Sequence, residues 1–175
     1  MKKELMILLA AVILPLGAGE GNTSDASLVK APASRVAKAW QSKLDPVYLV
    51  EIDKHPKFAA EMKLKNGKIL RFASVKSMMN FFYRPEKYPG YGVGPHGREI
   101  DRLFVTDYLD GKKIPAEKAW YVFGSRLMGP HGDDLIPLSS KTRADLFVKR
   151  YGGTKVMDYK ELRNKGYGLI KYLDM

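Results

Sequence analysis

The tetrapeptide Gly-Pro-His-Gly occurs twice, at residues 94–97 and 129–132, and these two copies carry His96 and His131, two of the chain's three histidines. Proline fixes φ and surrenders its N–H, and the flanking glycines permit a tight backbone path. Each tetrapeptide therefore presents an imidazole at the tip of a turn. The second copy reads Leu127-Met128-Gly129-Pro130-His131-Gly132-Asp133 and sets a thioether three residues from the imidazole. Cu(I) accepts methionine sulfur and histidine nitrogen and is satisfied by about two or three such ligands. The same residues also allow a plain reading, in which Met128 packs under the turn and His131 is solvated. The first copy has no neighbouring methionine and reads as a turn that shapes a loop. His55 completes the imidazole inventory.

Other chemistries lack their signatures. The chain has no cysteine, which removes disulfides, thiolate metal ligands and a cysteine nucleophile. No G-x-S-x-G elbow, P-loop or G-x-G-x-x-G following a strand is present, so nothing points to an enzyme. Met78 and Met79 stand on an apolar helical stripe and read, with Met62, as core. Phe81, Phe82, Tyr88 and Tyr91 read as an aromatic packing cluster, beside which a small-molecule pocket between two lobes is conceivable.

The elements that must position these turns follow from periodicity. Residues 1–19 combine a short basic start, an apolar run from Leu5 to Leu14 and the small residues Gly17, Ala18 and Gly19. That is the pattern of a secretory signal peptide; the apolar run is too short for a membrane span, which needs roughly 20 residues. Residues 20–33 read as a flexible tether, and Ser34 as the cap of a short helix with Val36, Trp40 and Leu44 on one face. Strands are expected over 47–52, 58–64 and 68–73, with Asn66-Gly67 as a hairpin turn. A helix capped by Ser74 carries Val75, Met78, Met79 and Phe82 at i, i+3, i+4 and i+7. Strands over 103–108, 119–125 and 134–138 follow. A helix over 141–151, capped by Ser140, carries Ala144, Phe147, Val148 and Tyr151 and ends at Gly152-Gly153. A strand over 155–157, a helix begun by Asp158 and a last strand over 169–173 complete the chain.

Strand, turn, strand and capped helix thus occur twice. Laying RFASVKSMMNFF over PLSSKTRADLFV matches Phe72 with Leu138, Ser74 with Ser140 and Phe81 with Phe147. The expected fold class is α+β, two related ββα units with antiparallel sheets, the lobes spanning about 47–97 and about 98–175 of a domain over 34–175.

The formal net charge is +11. In an exported protein this disfavours nucleic acid and favours an acidic protein surface or an anionic membrane surface as partner. The lysines are scattered rather than blocked, so simple solvation accounts for the charge equally well.

The run Val105-Thr106-Asp107-Tyr108-Leu109-Asp110-Gly111, followed by Ala119-Trp120-Tyr121-Val122-Phe123-Gly124-Ser125, Gly129-Pro130-His131-Gly132 and Ile136-Pro137-Leu138-Ser139-Ser140, resembles the NosL family. These are the accessory proteins of nitrous-oxide reductase. The resemblance implies a periplasmic protein with two related ββα lobes that holds Cu(I) for assembly of the reductase's copper centres, with the reductase or its assembly machinery as partner. It implies binding and delivery without catalysis. The chain departs from the family at two places. Family members carry a Cys-Gly-Met motif six to eight residues before the proline that corresponds to Pro56, where this chain has Tyr48, Leu49 and Val50; the lipoprotein cysteine is missing too. The family's turn commonly reads Gly-Pro-Met-Gly, where this chain has His131. The expected ligands are accordingly His131 and Met128, with His55 or His96 as a third.

Overall fold

The structure, a computed structural model, describes residues 43–174. The signal peptide, the tether and the helix expected after Ser34 lie outside the described residues, apart from Leu44. Nine strands and three α-helices are described: β1 (Ala60–Leu64), β2 (Ile69–Phe72), α1 (Val75–Tyr83), β3 (Ile100–Thr106), β4 (Lys113–Pro115), β5 (Trp120–Phe123), β6 (Met128–Gly129), β7 (Gly132–Asp133), β8 (Ile136–Leu138), α2 (Lys141–Tyr151), β9 (Lys155–Asp158) and α3 (Tyr159–Leu173). The fold class is α+β with antiparallel sheets.

All three helices start where a side chain can accept from the free N–H groups of the first turn. Ser74 accepts from Ser77 N, Ser140 from Arg143 N and Asp158 from Glu161 N, a stabilisation of about 1 kcal/mol for each cap. The two large sheets share one plan. In the first the order is β2-β1-β3-β4, in the second β8-β5-β9, and every neighbouring pair is antiparallel. So β1, β2, α1 and β3 correspond to β5, β8, α2 and β9. Strand β3, which a division at residue 97 puts with the second lobe, hydrogen-bonds to β1 in the first sheet.

The repeat extends upstream of the strands, into a turn built on a buried aspartate. Asp45 N–H donates to Val50 O, Leu49 N–H donates to Asp45 O, and Leu44 bridges Glu51. Asp107 N–H donates to Lys112 O, Gly111 N–H donates to Asp107 O, and Thr106 pairs with Lys113. Both carboxylates are fully buried. Each accepts from the N–H two residues on, from the residue preceding the helix cap, and from a side chain of the helix's first turn. Asp45 takes Val47 N (2.8 Å), Ala73 N (2.6 Å) and Ser77 Oγ (2.7 Å). Asp107 takes Leu109 N (2.9 Å), Ser139 N (2.8 Å) and an Arg143 Nη (3.0 Å). Each turn is thereby tied to the helix of its own unit.

Two expected strands are corrected. Residues 47–52 form this aspartate turn and enter a 3-10 helix at Ile52–Lys54; the apolar run is interrupted because Leu49 takes φ +58°, which a strand does not accommodate. Residues 169–173 continue α3 instead of starting a strand. Within that helix Gly166 is buried, and a Cβ there would lie 2.5 Å from the Tyr83 hydroxyl oxygen. The glycine lets α3 close on α1, and Tyr83 donates to Leu162 O at 2.7 Å.

The main core gathers Met62, Leu64, Phe72, Met78, Met79 and Phe81 with Tyr121, Met157, Leu162 and Ile170. Met78 and Met79 are packing residues, as the helical stripe implied, and so is Met62 of β1. Val122, Ile136, Leu138, Ala144 and Phe147 make a second cluster under α2. Alternation along β5 therefore puts Tyr121 in one core and Val122 in the other. Among the described residues no helix is long and apolar enough to cross a membrane.

Candidate metal centre

Strands β6 and β7 pair as Met128↔Asp133 and Gly129↔Gly132, leaving Pro130 and His131 as the two residues of a hairpin loop. The hairpin is held close to the body. A Cβ at Gly129 would lie 2.6 Å from Asp134 Oδ2, so only glycine allows the strand to approach that carboxyl. Asp134 Oδ1 in turn accepts from Lys76 N (2.9 Å) and Leu135 N (2.8 Å). Burial pushes the Asp134 carboxyl up to about 6, against the lowering effect of the Ser74 hydroxyl, these N–H groups and the Lys76 charge. Asp134 thus links the root of the hairpin to the first turn of α1.

His131 and Met128 face the same open cleft of about 770 Å³, with Asp133 beside them and Tyr172 and Leu173 of α3 and its capping residue Asp174 forming the far wall. Met128 is 63% exposed, so its thioether is accessible and does not pack under the turn. The His131 imidazole lies flat on the Tyr48 ring, 4.1 Å between centroids at 14°. Tyr48 belongs to the first aspartate turn, and its neighbour Leu49 takes a left-handed backbone (φ +58°).

Behind the stack lies a polar network. The Tyr48 hydroxyl donates to Asp174 and accepts from Asn80 Nδ2 at 3.2 Å. Asp174 also takes Asn80 (2.5 Å) and an Arg84 Nη (3.1 Å). Burial, reinforced by the Asp174 carboxylate, holds the phenol well above the usual range, so Tyr48 acts there as a neutral donor. The Lys76 ammonium donates to the His131 carbonyl and sits 5.3 Å from the Tyr48 ring centroid. Together these contacts orient the imidazole and anchor its backbone.

The other expected ligands lie elsewhere. His96 faces a separate cleft of about 450 Å³ with Phe82, Tyr83, Asp101, Tyr159 and Arg163. Its loop is closed by Gly97 N donating to Gly94 O (2.9 Å) and Gly94 N donating to Glu99 Oε2 (3.0 Å). His55 ends the 3-10 helix, with its N–H on Ile52 O, and lines neither cleft. Nor are the two Gly-Pro-His-Gly turns equivalents in the duplication: one connects α1 to β3, the other β5 to β8. Among the described residues no three His, Asp or Glu side chains converge as a metal cluster. Of the expected ligands, one imidazole and one thioether are thus brought to one cleft, which the Asp133 and Asp174 carboxylates also line.

Tyr48, Lys76, Asn80 and Asp174 were missed in the sequence. The resemblance drew attention to Tyr48 as a departure from the family's motif, but nothing in the sequence shows that it packs on His131. Lys76 bore a faint signal, a lysine next to the apolar stripe of a helix that proves buried on all sides through Phe81.

The NosL family model matches residues 41–166. No curated protein matches the chain. Among solved structures, the crystal structure of the copper chaperone NosL from Shewanella denitrificans is similar at a TM-score of 0.55 and 25% identity, over 67% of this chain and 87% of that one. The solution NMR structure of the apo-NosL protein from Achromobacter cycloclastes shares 26% identity over 58% of this chain and 82% of that one, at a TM-score of 0.42. With the family model matched over most of its length and the repeated antiparallel plan in place, this chain belongs to the NosL family.

Proposed function

We propose that the chain is an exported, cysteine-less NosL protein that holds Cu(I) and hands it on for assembly of the copper centres of nitrous-oxide reductase. The observation that carries this reading is that His131 and Met128 face one open cleft. Cu(I) has no strong geometric demand and accepts a nitrogen and a thioether in low coordination. Without a thiolate the ion is held weakly, which suits a protein that must release its cargo. Openness serves the same end, because a receiving protein can reach the ion directly. His131 supplies the nitrogen, oriented by Tyr48; Met128 supplies the sulfur. A third donor comes from solvent, from the receiving partner or from a carboxylate lining the cleft, since His55 and His96 lie outside it. Copper is cargo here, and no bond of a substrate is made or broken.

The test is an anaerobic Cu(I) titration of the chain from Glu20 onward against a chromophoric chelator, with His131→Ala and Met128→Ala alongside. One equivalent bound by wild type and lost in either variant supports copper carriage at this hairpin. Failure of wild type to compete sinks it, and leaves a NosL scaffold that docks an acidic partner through its positive charge.

A further inference from the structure

Lys76 occupies the second position of α1 and is 1% exposed. Burying an ammonium is costly unless an acid pairs with it, yet no ion pair to this lysine forms among the described residues. Its Nζ donates to the His131 carbonyl and lies over the Tyr48 ring. Asp134 binds the Lys76 backbone N–H through Oδ1, and the Lys76 charge lowers its carboxyl from a distance. The cleft itself is lined by two further acids, one committed to neighbours and one solvated. Asp174 is engaged by Arg84, Asn80 and Tyr48, and Asp133 sits exposed on β7. An apolar side chain would suit the packing of α1 at this position at lower cost. What the lysine adds is a fixed positive charge directly behind the residue that presents the imidazole.

We infer that Lys76 sets the charge selectivity of the cleft, favouring a monovalent over a divalent metal ion. The inference rests on the copper-carrying reading above and deepens it. The physical basis is that the energy between a fixed charge and an ion scales with the ion's charge. A divalent ion seated on His131 is repelled twice as strongly as Cu(I) at the same place. The Met128 thioether favours Cu(I), but imidazole also binds Zn(II) and Cu(II) well, so ligand chemistry leaves part of the discrimination to charge. The same charge lowers the affinity for Cu(I) itself, which favours release. Lys76 touches no metal in this account; it acts through the field it creates and the turn it braces.

The experiment compares Cu(I) and Zn(II) affinities of the chain from Glu20 onward for wild type, Lys76→Met, Lys76→Gln and Lys76→Arg, by anaerobic competition titration. Removing the charge is expected to raise Cu(I) affinity roughly ten-fold and Zn(II) affinity by roughly the square of that factor, about a hundred-fold, with the size damped by salt. Lys76→Arg keeps the charge and is expected to retain wild-type selectivity. The Gln variant gives the same reading should Met at this position disturb folding, which urea midpoints would reveal. Equal changes for the two ions, or equal changes in the Arg and Met variants, would overturn the inference and leave Lys76 as a brace for the hairpin. Wild-type binding of neither ion would instead sink the copper reading itself, and this inference with it.

Discussion

The two aspartate turns have the same backbone hydrogen bonds and serve different ends. The turn at Asp107 carries Asp110 and Gly111 at its third and fourth following positions, and Asp110 reinforces Arg143 at 3.3 Å. It is a clasp between its hairpin and α2. The turn at Asp45 carries Tyr48 and Leu49 there, and sends Tyr48 out of its own unit to stack on His131 of the other. The helices diverge likewise. Every residue from Val75 to Phe81 of α1 is buried, whereas α2 buries only Ala144 and Phe147. Helix α3 covers α1 and leaves α2 facing solvent on its far side. Duplication supplied two equal frames, and the frame with covered sides could turn polar residues of its helix, Lys76 and Asn80, toward a cleft.

The largest effect expected from this asymmetry is in packing. Met79 and Asp145 occupy equivalent positions on α1 and α2. Met79→Ala should cost about 2–5 kcal/mol because the side chain is fully enclosed. Asp145→Ala loses only an exposed i,i+4 pair to Lys141 and should stay within about 0.5 kcal/mol. Urea denaturation of both variants checks this; similar costs would mean that α3 does not cover α1 in solution.

A smaller effect concerns the clasp. Burial alone would raise the Asp107 carboxyl, but the Arg143 guanidinium and the N–H groups of Ser139 and Leu109 outweigh it and hold it at about 2. A folded-state value below the unfolded one means that the stabilisation is complete above about pH 4 and is lost as pH falls toward 2. The contribution is on the order of 2 kcal/mol. Stability measured from pH 6 to pH 2 should fall less steeply in Asp107→Asn than in wild type. Parallel curves would show that the clasp is not charged.

The smallest effect separates the turns by one residue. Leu49 takes a left-handed conformation that Gly111 adopts in the equivalent place (φ +73°), and its side chain is 60% exposed. Leu49→Gly should therefore stabilise by about 1 kcal/mol, through relief of backbone strain. Gly111→Ala should destabilise by a similar amount. Opposite signs in thermal unfolding would confirm the equivalence; a loss in both would break it.

Much of this architecture was legible because it depends on local chemistry. Ser74, Ser140 and Asp158 announce helix starts through hydroxyl and carboxylate acceptors. Asn66-Gly67 announces a hairpin, and the overlay of the two capped helices announces the duplication. Two errors came from residues whose role is set by distant partners. Leu49 reads as part of an apolar strand, yet the Asp45 carboxylate and its bonds to α1 fold it into a turn. Residues 169–173 read as a strand, yet they continue α3, whose Gly166 lets it close on Tyr83.

For the candidate site, the sequence by itself determined the donor types and their spacing. It offered a thioether and an imidazole on one glycine-flanked hairpin, in a chain with no thiolate, and a family likeness that made the hairpin worth attention. Only the tertiary structure decided which histidines share a cleft. His96 belongs to the twin tetrapeptide but faces other walls, because its loop follows a helix while that of His131 joins two strands. It likewise decided that Tyr48, Lys76 and Asp174 converge on His131 from three separate segments. Turn and cap signals act over a few residues and are written in local sequence. The company a side chain keeps depends on how sheets and helices pack, and that is settled only when the whole core closes.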